Sequence, residues 1–418
     1  MDRERLVIVG NGMAPGRMLE HLFARAPGRF DVTIFNAEPR VNYNRLMLSP
    51  VLAGEKTYAD IITHDDDWYA RHDVRLLKGT AVTAIDPTAR TITAGDGVVT
   101  PYDRLVIATG SVPFVPPIPG HDLNGVLTYR DLDDVEAMLE ISARGGNAVV
   151  IGGGLLGLEA AAGLRARGME VTVVHLMPGL MERQLDDAAG GMLARALEDR
   201  GIRIRTGANT TAIEGNGHVE RVNLADGTVI ACDVVVMAVG IRPSIVLGKA
   251  AGLAVNRGIV VDDQLRTSDP QIFALGECAE HRGICYGLVA PLYDMAETLA
   301  AVLDDEDASY AGSAISTRLK VTGVEVFSAG DFALAADRED IVLRDDDAHT
   351  YRRLVLKDGR LIGAVLYGET GDGGWYFDKL RAGAVIGGDR STLVFGEAFA
   401  GTPQLEAYGG RCSLAVDN

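Results

Sequence analysis

Residues 148–162, AVVIGGGLLGLEAAA, decide the fold of this chain, and residues 6–16, LVIVGNGMAPG, partly repeat them. In each stretch an apolar run ends in glycines and continues into a helix-forming sequence, as a buried parallel strand does where it turns into a helix. Gly152, Gly154 and Gly157 complete the pattern G-x-G-x-x-G, whose glycines permit a tight turn, close approach of a phosphate and helix-on-strand packing. The pattern predicts a turn that holds the pyrophosphate of a dinucleotide.

The first stretch departs from this pattern at one position. Gly10 and Gly12 are present, but Pro15 replaces the third glycine. Proline is tolerated in the first turn of a helix, because its missing N–H would have no intrahelical acceptor there. One G-x-G-x-x-G match is weak evidence in a chain with 50 glycines, whereas two matches in strand-to-helix contexts favour two dinucleotides bound by one polypeptide.

The composition is that of a globular protein. The chain has 418 residues, of which 47% are hydrophobic and 23% charged, and its length suits two or three domains. The net charge of −18 disfavours nucleic acid as a partner, because it repels phosphate backbones. The N-terminal residues resemble no secretory or transit signal, and Glu159 together with the glycine turn argues against a membrane span at 148–164. We therefore expect a cytoplasmic protein.

The four cysteines, Cys232, Cys278, Cys285 and Cys412, form no C-x-x-C pair and no close cluster. An iron–sulfur centre needs ligands that converge on one site, and a dithiol redox pair needs similar proximity. The sequence therefore predicts no metal site, and it favours buried, inert thiols at Cys232 and Cys278.

The residue after the second strand of such a unit often contacts the adenosine ribose. Glu38, beyond the predicted strand 31–35, could accept a hydrogen bond from a ribose hydroxyl or be a solvated loop acid. His175 follows the predicted strand 170–174, where NAD sites usually have Asp or Glu and NADP sites have a nearby arginine. A neutral imidazole accepts a ribose hydrogen bond, a protonated one tolerates a phosphate, and a packed ring contacts neither. The choice between NADH and NADPH stays open.

Further apolar runs that end in glycine predict buried strands at residues 105–110 and 234–240. The run 272–277, IFALGE, ends in a glycine and an acid in the same way. From Leu288 the chain predicts an amphipathic helix whose positive N-terminal end would face a cofactor ring. A strand-rich region begins at residue 313 and includes a hairpin turn at residues 357–360.

Taken together, these motifs resemble those of the flavin-dependent pyridine nucleotide oxidoreductases. The stretches that carry the resemblance are GNGMA at 10–14, YDRLVIATG at 102–110, GGGLLGLE at 152–159, VMAVGIRP at 236–243 and FALGEC at 273–278. Within that family the chain is most similar to the flavoprotein part of assimilatory NAD(P)H-nitrite reductase large subunits and to nitrate-assimilation electron-transfer flavoproteins. The narrower similarity lies in NYNRLMLSPVLAGEKT, HLMPGLMERQLD, HRGICYGLVAP and TRLKVTG. Because those large subunits continue into iron–sulfur and sirohaem domains, we expect either a fragment or a stand-alone reductase.

The resemblance implies an α/β fold with two Rossmann-like dinucleotide-binding domains, one for FAD and an inserted one for NAD(P)H, plus a C-terminal α+β interface domain. The implied boundaries are 1–118 and 246–312 for the two parts of the FAD domain, 119–245 for the NAD(P)H domain, 313–400 for the interface domain and 401–418 for a tail.

The resemblance also implies which residues bind the cofactors. Those expected to hold FAD are Gly10, Gly12, Ala14, Glu38, Arg45, Val82, Ala108, Thr109, Glu277, Val289 and Lys320. Those expected to hold NADH, or NADPH, are Gly152, Gly154, Gly157, Glu159, His175 and Gly240. Leu48-Ser49-Pro50 lies where relatives with a redox cysteine carry it, so disulfide chemistry is not expected there. No side chain is assigned a catalytic role, because the cofactor carries out hydride transfer.

The implied function is FAD-dependent electron transfer from NADH or NADPH to a separate redox acceptor of nitrate or nitrite assimilation. A ferredoxin or rubredoxin reductase of an oxygenase system is the first alternative, and an NAD(P)H-responsive, redox-sensing binding protein is the alternative from another class. An acidic acceptor would need a local basic face. The predicted candidates for it are Arg45, Arg318, Lys320, Arg352 and Arg353. Whether the C-terminal domain forms a homodimer is left open.

Overall fold

The computed structural model describes residues 3–321, 323–387, 390 and 392–399. These residues form two compact units. The first comprises residues 3–183 and 190–315, and the second comprises residues 184–189 and 316–399. The predicted tail at 401–418, which contains Cys412, lies outside the described residues.

The first unit opens with a strand, a helix and a second strand, followed by shorter elements. In chain order they are β1 (Glu4–Val9), α1 (Met13–Arg25), β2 (Phe30–Phe35), β3 (Asn42–Tyr43), α2 (Leu48–Ala53), β4 (Ile62–His64), α3 (Asp66–Arg71), β5 (Val74–Leu77), β6 (Val82–Asp86), β7 (Thr91–Ala94), β8 (Val99–Pro101), β9 (Arg104–Ile107) and β10 (Ser111–Pro113).

The chain then enters a second set of alternating strands and helices. These are β11 (Val126–Thr128), α4 (Leu132–Ser142), β12 (Asn147–Ile151), α5 (Leu155–Ala166), β13 (Glu170–Val174), α6 (Asp187–Glu198), β14 (Ile202–Arg205), β15 (Thr210–Glu214), β16 (Arg221–Leu224), β17 (Val229–Ala231), β18 (Val234–Met237) and β19 (Ile241–Pro243). The elements that follow are α7 (Val246–Ala250), β20 (Ile259–Val261), β21 (Ile272–Ala274), β22 (Ala279–His281) and α8 (Val289–Leu303).

Two five-stranded parallel sheets organise the first unit. One has the order β21-β9-β1-β2-β5, and the other has the order β11-β18-β12-β13-β14. Every neighbouring pair in both sheets is parallel. The central strands β1 and β12 are buried on both faces, as expected for continuous apolar runs in a parallel sheet. The two predicted Rossmann-like domains are therefore present.

The first sheet is completed by β21, which the chain reaches only after it has built the second sheet. In each half, a three-stranded antiparallel meander comes just before a strand that pairs with the central strand of the parallel sheet. The meander β6-β7-β8 precedes β9, and the meander β15-β16-β17 precedes β18. The antiparallel ribbon of β10 and β19 pairs the segment that leaves the first sheet with the one that leaves the second. The two halves thus repeat one plan, and the second is inserted into the first.

The second unit is an antiparallel sheet covered by one helix. Its elements are β23 (Ser316–Val321), β24 (Val324–Gly330), β25 (Glu339–Asp345), β26 (Thr350–Lys357), β27 (Arg360–Tyr367) and α9 (Gly373–Ala382). The sheet order is β23-β24-β27-β26-β25, and Phe327 and Leu354 of the sheet share a buried core with Tyr376 of α9. The predicted hairpin is confirmed: Asp358 and Gly359 join β26 to β27, both with positive φ as a tight hairpin turn requires. This unit has the α+β character that the resemblance implied.

Two arginines predicted as part of a basic face are instead buried in the second unit. Arg352 is 5% exposed and pairs with Asp372 and Glu369, and Arg353 is 4% exposed and pairs with Asp186 and Asp340. Their prediction as surface cations is wrong. The sequence of β26 does not reveal that both faces of this strand are covered in the fold.

Within the part of the chain that the structure describes, we find no helix with the length and apolar character needed to cross a bilayer.

Candidate functional site

The two glycine turns, defined here as residues 10–15 and 152–157, have the same backbone geometry. Gly10 has φ +106° and Gly152 has φ +126°, values that favour glycine. A Cβ on Gly10 would lie 2.3 Å from the carbonyl oxygen of Ala108, and one on Gly152 would lie 2.2 Å from that of Ala238. Each turn therefore passes so close to the neighbouring strand of its sheet that only glycine fits.

The second glycine of each turn faces open space. Gly12 and Gly154 precede α1 and α5, and an added Cβ on either would meet no heavy atom within 4 Å. The first N–H groups of both helices have no intrahelical acceptors, and the helix dipole is positive at this end. A cradle that a side chain would fill, lined by such amides, fits the pyrophosphate of a dinucleotide.

The turns differ at their third position. Gly157 packs so closely that its Cβ would lie 2.0 Å from the carbonyl oxygen of Gly152. Pro15 is buried in the first turn of α1, and the next residue, Gly16, makes the close approach, to Asn42 and His64. The prediction that Pro15 is compatible with a helix start is confirmed.

Asn42 supports the first turn from the side. Its Nδ2 donates to the carbonyl oxygens of Asn11, at 2.9 Å, and Gly12, at 2.6 Å, while its Oδ1 accepts from Thr63. These bonds occupy the carbonyl groups of the turn. The Nδ2 of Asn11 is buried without a hydrogen-bond partner among the described residues, which is costly unless a ligand supplies an acceptor.

Glu38 and Arg45, both predicted to hold FAD, form an ion pair. The second carboxylate oxygen of Glu38 accepts from the hydroxyl of Tyr43 at 2.7 Å, and burial raises the pKa of that hydroxyl above its ordinary range. The guanidinium of Arg45 also donates to the carbonyl oxygen of Arg130 at 3.0 Å. Glu38 is thus a structured carboxylate, which argues against the solvated loop acid considered from the sequence.

Glu277, at the end of the glycine–acid strand, is held in a second polar cluster. One carboxylate oxygen accepts from the hydroxyl of Ser111 at 2.8 Å and from the guanidinium of Arg130. Arg130 also donates to the carbonyl oxygen of Ser111 at 3.3 Å. Because the carbonyl oxygen of Arg130 binds Arg45, this cluster is joined to the Glu38 ion pair.

Glu159 lies in the second turn of α5 and faces α2. Its carboxylate accepts from the hydroxyl of Ser49 at 2.7 Å, and Ser49 is 3.0 Å from the hydroxyl of Tyr129. Burial raises the pKa of Glu159 above its ordinary value, and the hydrogen bond from Ser49 offsets part of that rise. The pKa of Tyr129 is likewise raised by burial. A carboxyl group that tends to keep its proton therefore lies between the two nucleotide-binding halves.

His175 is bonded through both ring nitrogens. The amide of Gly153 donates to Nδ1 at 3.0 Å, and Nε2 lies 3.0 Å from a carboxylate oxygen of Glu182. Since Nδ1 accepts a hydrogen bond, the ring proton is on Nε2 and points to Glu182. His175 as a whole is 9% exposed, and its ring packs directly against the second glycine turn.

The other predicted site residues are distributed as follows. Ala14 and Val289 lie in the first turns of α1 and α8, Val82 begins β6, Ala108 and Thr109 follow β9, Gly240 precedes β19 with φ +120°, and Lys320 lies on β23 of the second unit. Thr109 donates its hydroxyl hydrogen bond to the carbonyl oxygen of Ser244 at 3.1 Å. The cofactor roles of these residues stay predictions.

The structure joins to the predicted set several residues that were not predicted as site residues. They are Asn42, Ser49, Tyr129, Arg130 and Glu182. None lies in a glycine motif, and their partners are distant in sequence, so local pattern did not single them out.

The thiol prediction holds for the two cysteines it concerned. Cys232 and Cys278 are free and buried, and burial raises the pKa of Cys232 to about 12 and that of Cys278 above its ordinary value. Among the residues that the structure covers, no three His, Cys, Asp or Glu side chains are grouped to hold a metal ion.

Comparisons with known proteins show the family of this chain. The pyridine nucleotide-disulphide oxidoreductase family matches residues 4–300, and the rubredoxin NAD+ reductase C-terminal domain matches residues 316–384. Nitrite reductase [NAD(P)H] of Bacillus subtilis is 47% identical over 92% of this chain and 48% of its own length. The assimilatory nitrate reductase electron transfer subunit of the same organism is 40% identical over 91% of this chain and 49% of its own.

A solved structure of the covalent putidaredoxin reductase–putidaredoxin complex is 26% identical, with a TM-score of 0.84 over 95% of this chain and 97% of that one. By contrast, the chain spans about half the length of the curated nitrite and nitrate reductase relatives described above.

Proposed function

Because the chain belongs to the pyridine nucleotide-disulphide oxidoreductase family, which binds FAD and NAD(P)H, we propose that it oxidises NADH and passes the electrons to a separate redox protein of nitrite or nitrate assimilation. The observation that carries this proposal is the pair of glycine turns within one compact unit. Each turn leaves open space at a helix N-terminus, so the chain has one pyrophosphate cradle for a resident dinucleotide and one for an exchanging dinucleotide.

Bound FAD would supply the chemistry, which is acceptance of a hydride from the nicotinamide and release of electrons to an acceptor. The side chains of this protein would bind and orient the two nucleotides. We assign the first glycine turn, Glu38 and Arg45 to FAD, and add Arg130, which fixes Glu277 and is joined to Arg45 through its carbonyl group. We assign the second glycine turn and Glu159 to the nicotinamide nucleotide.

We propose the class of electron acceptor from the names of the two B. subtilis relatives and from the share of each that this chain covers. The B. subtilis proteins are named as a nitrite reductase and as a nitrate reductase electron transfer subunit, and the chain matches about half of each. An acceptor on a separate protein, in the cytoplasm where NADH is abundant, is consistent with that match. Exposed Arg318 and Lys320 remain candidates for a basic contact with it, whereas Arg45 is engaged by Glu38.

A ferredoxin or rubredoxin reductase is the second candidate. Two observations favour it: the match of residues 316–384 to the rubredoxin NAD+ reductase C-terminal domain, and the similarity to the reductase in the putidaredoxin complex. Both candidates share the same first half-reaction and differ only in the protein that receives the electrons.

The test begins with anaerobic stopped-flow mixing of the purified, flavin-containing protein with NADH, followed at the flavin absorbance. Rapid bleaching, and then reoxidation by ferricyanide through many turnovers, is the expected result. Purified nitrite reductase, ferredoxin and rubredoxin would then be compared as acceptors at equal concentration. A protein that holds no flavin, or is not bleached, would overturn the proposal, and bleaching without turnover would favour a redox-sensing binding protein.

A further inference from the structure

The end of β13 lacks the acidic residue that usually contacts the adenosine ribose of NAD. His175 occupies that position, and both of its ring nitrogens already have partners in the protein, Gly153 and Glu182. The side chain at the expected place therefore has no free group to offer a nucleotide. A carboxylate is nevertheless present, because Glu182 lies against the far nitrogen of the ring.

The loop that carries Glu182 is folded back onto the second glycine turn. The amide of Met181 donates to the carbonyl oxygen of Gly153 at 3.0 Å, and Leu180 and Met181 are each 1% exposed. Met181 has φ +52°, a left-handed conformation that is unfavourable for a residue with a side chain. Burial and the hydrogen bond hold the loop in this conformation, so the position of Glu182 is set by its neighbours.

Only one oxygen of Glu182 is used by His175. The Glu182 side chain is 37% exposed, compared with 11% for the His175 side chain, so the carboxylate is only partly covered by the protein. A carboxylate at this edge of the sheet accepts a hydrogen bond from a ribose hydroxyl and repels a phosphate ester at the same position.

We infer that Glu182, positioned by His175, determines the preference of this protein for NADH over NADPH. The inference rests on the proposed function, because it assigns the nicotinamide nucleotide to the second glycine turn. Arg183 follows Glu182 in the chain, and Arg205 ends β14, where its carbonyl oxygen accepts from the amide of His175 at 2.8 Å; both arginines are exposed. Without the charge of Glu182, these arginines would favour a 2′-phosphate.

The test compares the full-length, flavin-containing protein with Glu182→Gln, which removes the charge but retains an oxygen that accepts from His175. Dissociation constants for ADP-ribose and 2′-phospho-ADP-ribose are measured by calorimetry, so that binding is followed independently of turnover. We expect the wild-type protein to bind ADP-ribose more tightly than 2′-phospho-ADP-ribose. We expect Glu182→Gln to reduce the ratio of the two dissociation constants roughly tenfold, as for loss of a hydrogen bond to a charged group. Glu182→Arg should invert the ratio.

Glu198→Gln is the matched control, since it removes one exposed negative charge from the same domain. Glu198 ends α6, which leads into the amino end of β14, whereas His175 follows the carboxyl end of β13. The control lies at the opposite edge of the parallel sheet and should leave the ratio unchanged. High salt should narrow the wild-type ratio and have less effect on Glu182→Gln, because charge repulsion is screened.

An equal ratio in the wild-type protein and Glu182→Gln would overturn the inference, and so would a wild-type preference for the 2′-phosphate. Stopped-flow bleaching with NADH and NADPH separates this failure from failure of the proposed function. If NADH bleaches the flavin but the ratios are equal, the reductase stands and the role of Glu182 is wrong. Another outcome is that neither nucleotide bleaches the flavin while the ratio of the two dissociation constants still differs between the wild-type protein and Glu182→Gln. In that case the reductase proposal fails and the assignment of Glu182 stands.

Discussion

Glu38, after the first glycine turn, has partners on both carboxylate oxygens, Tyr43 and Arg45, whereas Glu182, near the second turn, is bonded through one oxygen to His175. The exposed fractions differ in the same sense, 20% for Glu38 and 37% for Glu182. The backbones of the two turns are nearly equivalent, so the difference comes from side chains outside the glycine motifs. It teaches that one scaffold can give a tight site for a resident cofactor and an open site for an exchanging substrate.

The largest expected effect comes from filling the two cradles separately. Gly12→Val should abolish flavin retention, and Gly154→Val should leave the flavin bound but slow its reduction by NADH roughly 100-fold or more. The added side chain would fill the space proposed for the pyrophosphate, and overlap with the bound nucleotide would cost up to about 3 kcal/mol. Flavin content after purification and anaerobic bleaching rates distinguish the two variants. Gly371→Val is the control, because that glycine also meets nothing within 4 Å but lies in the second unit.

If Gly12→Val retained its flavin and Gly154→Val lost it, the assignment of the two turns would have to be exchanged. Unchanged bleaching of Gly154→Val would remove the second turn from the nucleotide site.

A smaller effect is expected from breaking the ion pair that makes the first site rigid. Glu38→Ala leaves the guanidinium of Arg45 without its carboxylate in a partly buried place, which we expect to cost about 3 kcal/mol and to weaken flavin retention. Thermal unfolding and flavin content measure the two consequences. A flavin content equal to that of the wild-type protein would contradict the role of Glu38.

The raised pKa of Glu159, which lies between the two halves, predicts that the free energy of unfolding depends on pH. Its pKa is raised in the folded protein, so the folded state binds the proton more tightly and loses stability as the pH rises through that raised pKa. Glu159→Gln removes this loss and should be more stable than the wild-type protein at pH 8, by about 1 kcal/mol. The difference should shrink as the pH falls towards the ordinary glutamate pKa. Denaturant unfolding at several pH values checks this, and a constant difference would exclude ionisation of Glu159 as its cause.

The smallest effect is expected from making the first turn resemble the second. Pro15→Gly completes the G-x-G-x-x-G pattern but removes a residue whose φ already suits the start of a helix. We expect a stability loss of about 0.5–1 kcal/mol from the more flexible unfolded chain, with flavin retention unchanged. A clear gain in flavin affinity would show that the third glycine itself contributes to the cradle.

Much of this architecture follows from short sequence patterns. The two glycine turns and the buried strands that precede them were predictable, because an uninterrupted apolar strand that ends in glycine can be buried in few ways. Glu38 was predicted from its place after a strand, whereas Glu159 and Glu277 were implied by the family resemblance. Arg352 and Arg353 were predicted wrongly, since charged residues on an isolated strand are expected at the surface and their acidic partners lie far along the chain.

The sequence by itself determined that this chain builds two dinucleotide-binding halves, because strand burial, glycine conformations and helix starts depend on residues that are neighbours in the chain. Only the tertiary structure decided which polar groups meet around them. Arg130 reaches Glu277 across 147 positions, Ser49 reaches Glu159 across 110, and Glu182 reaches His175 through a loop held by the second glycine turn. The physical reason is that ion pairs and buried hydrogen bonds depend on distances in space, and these are set when the whole chain packs.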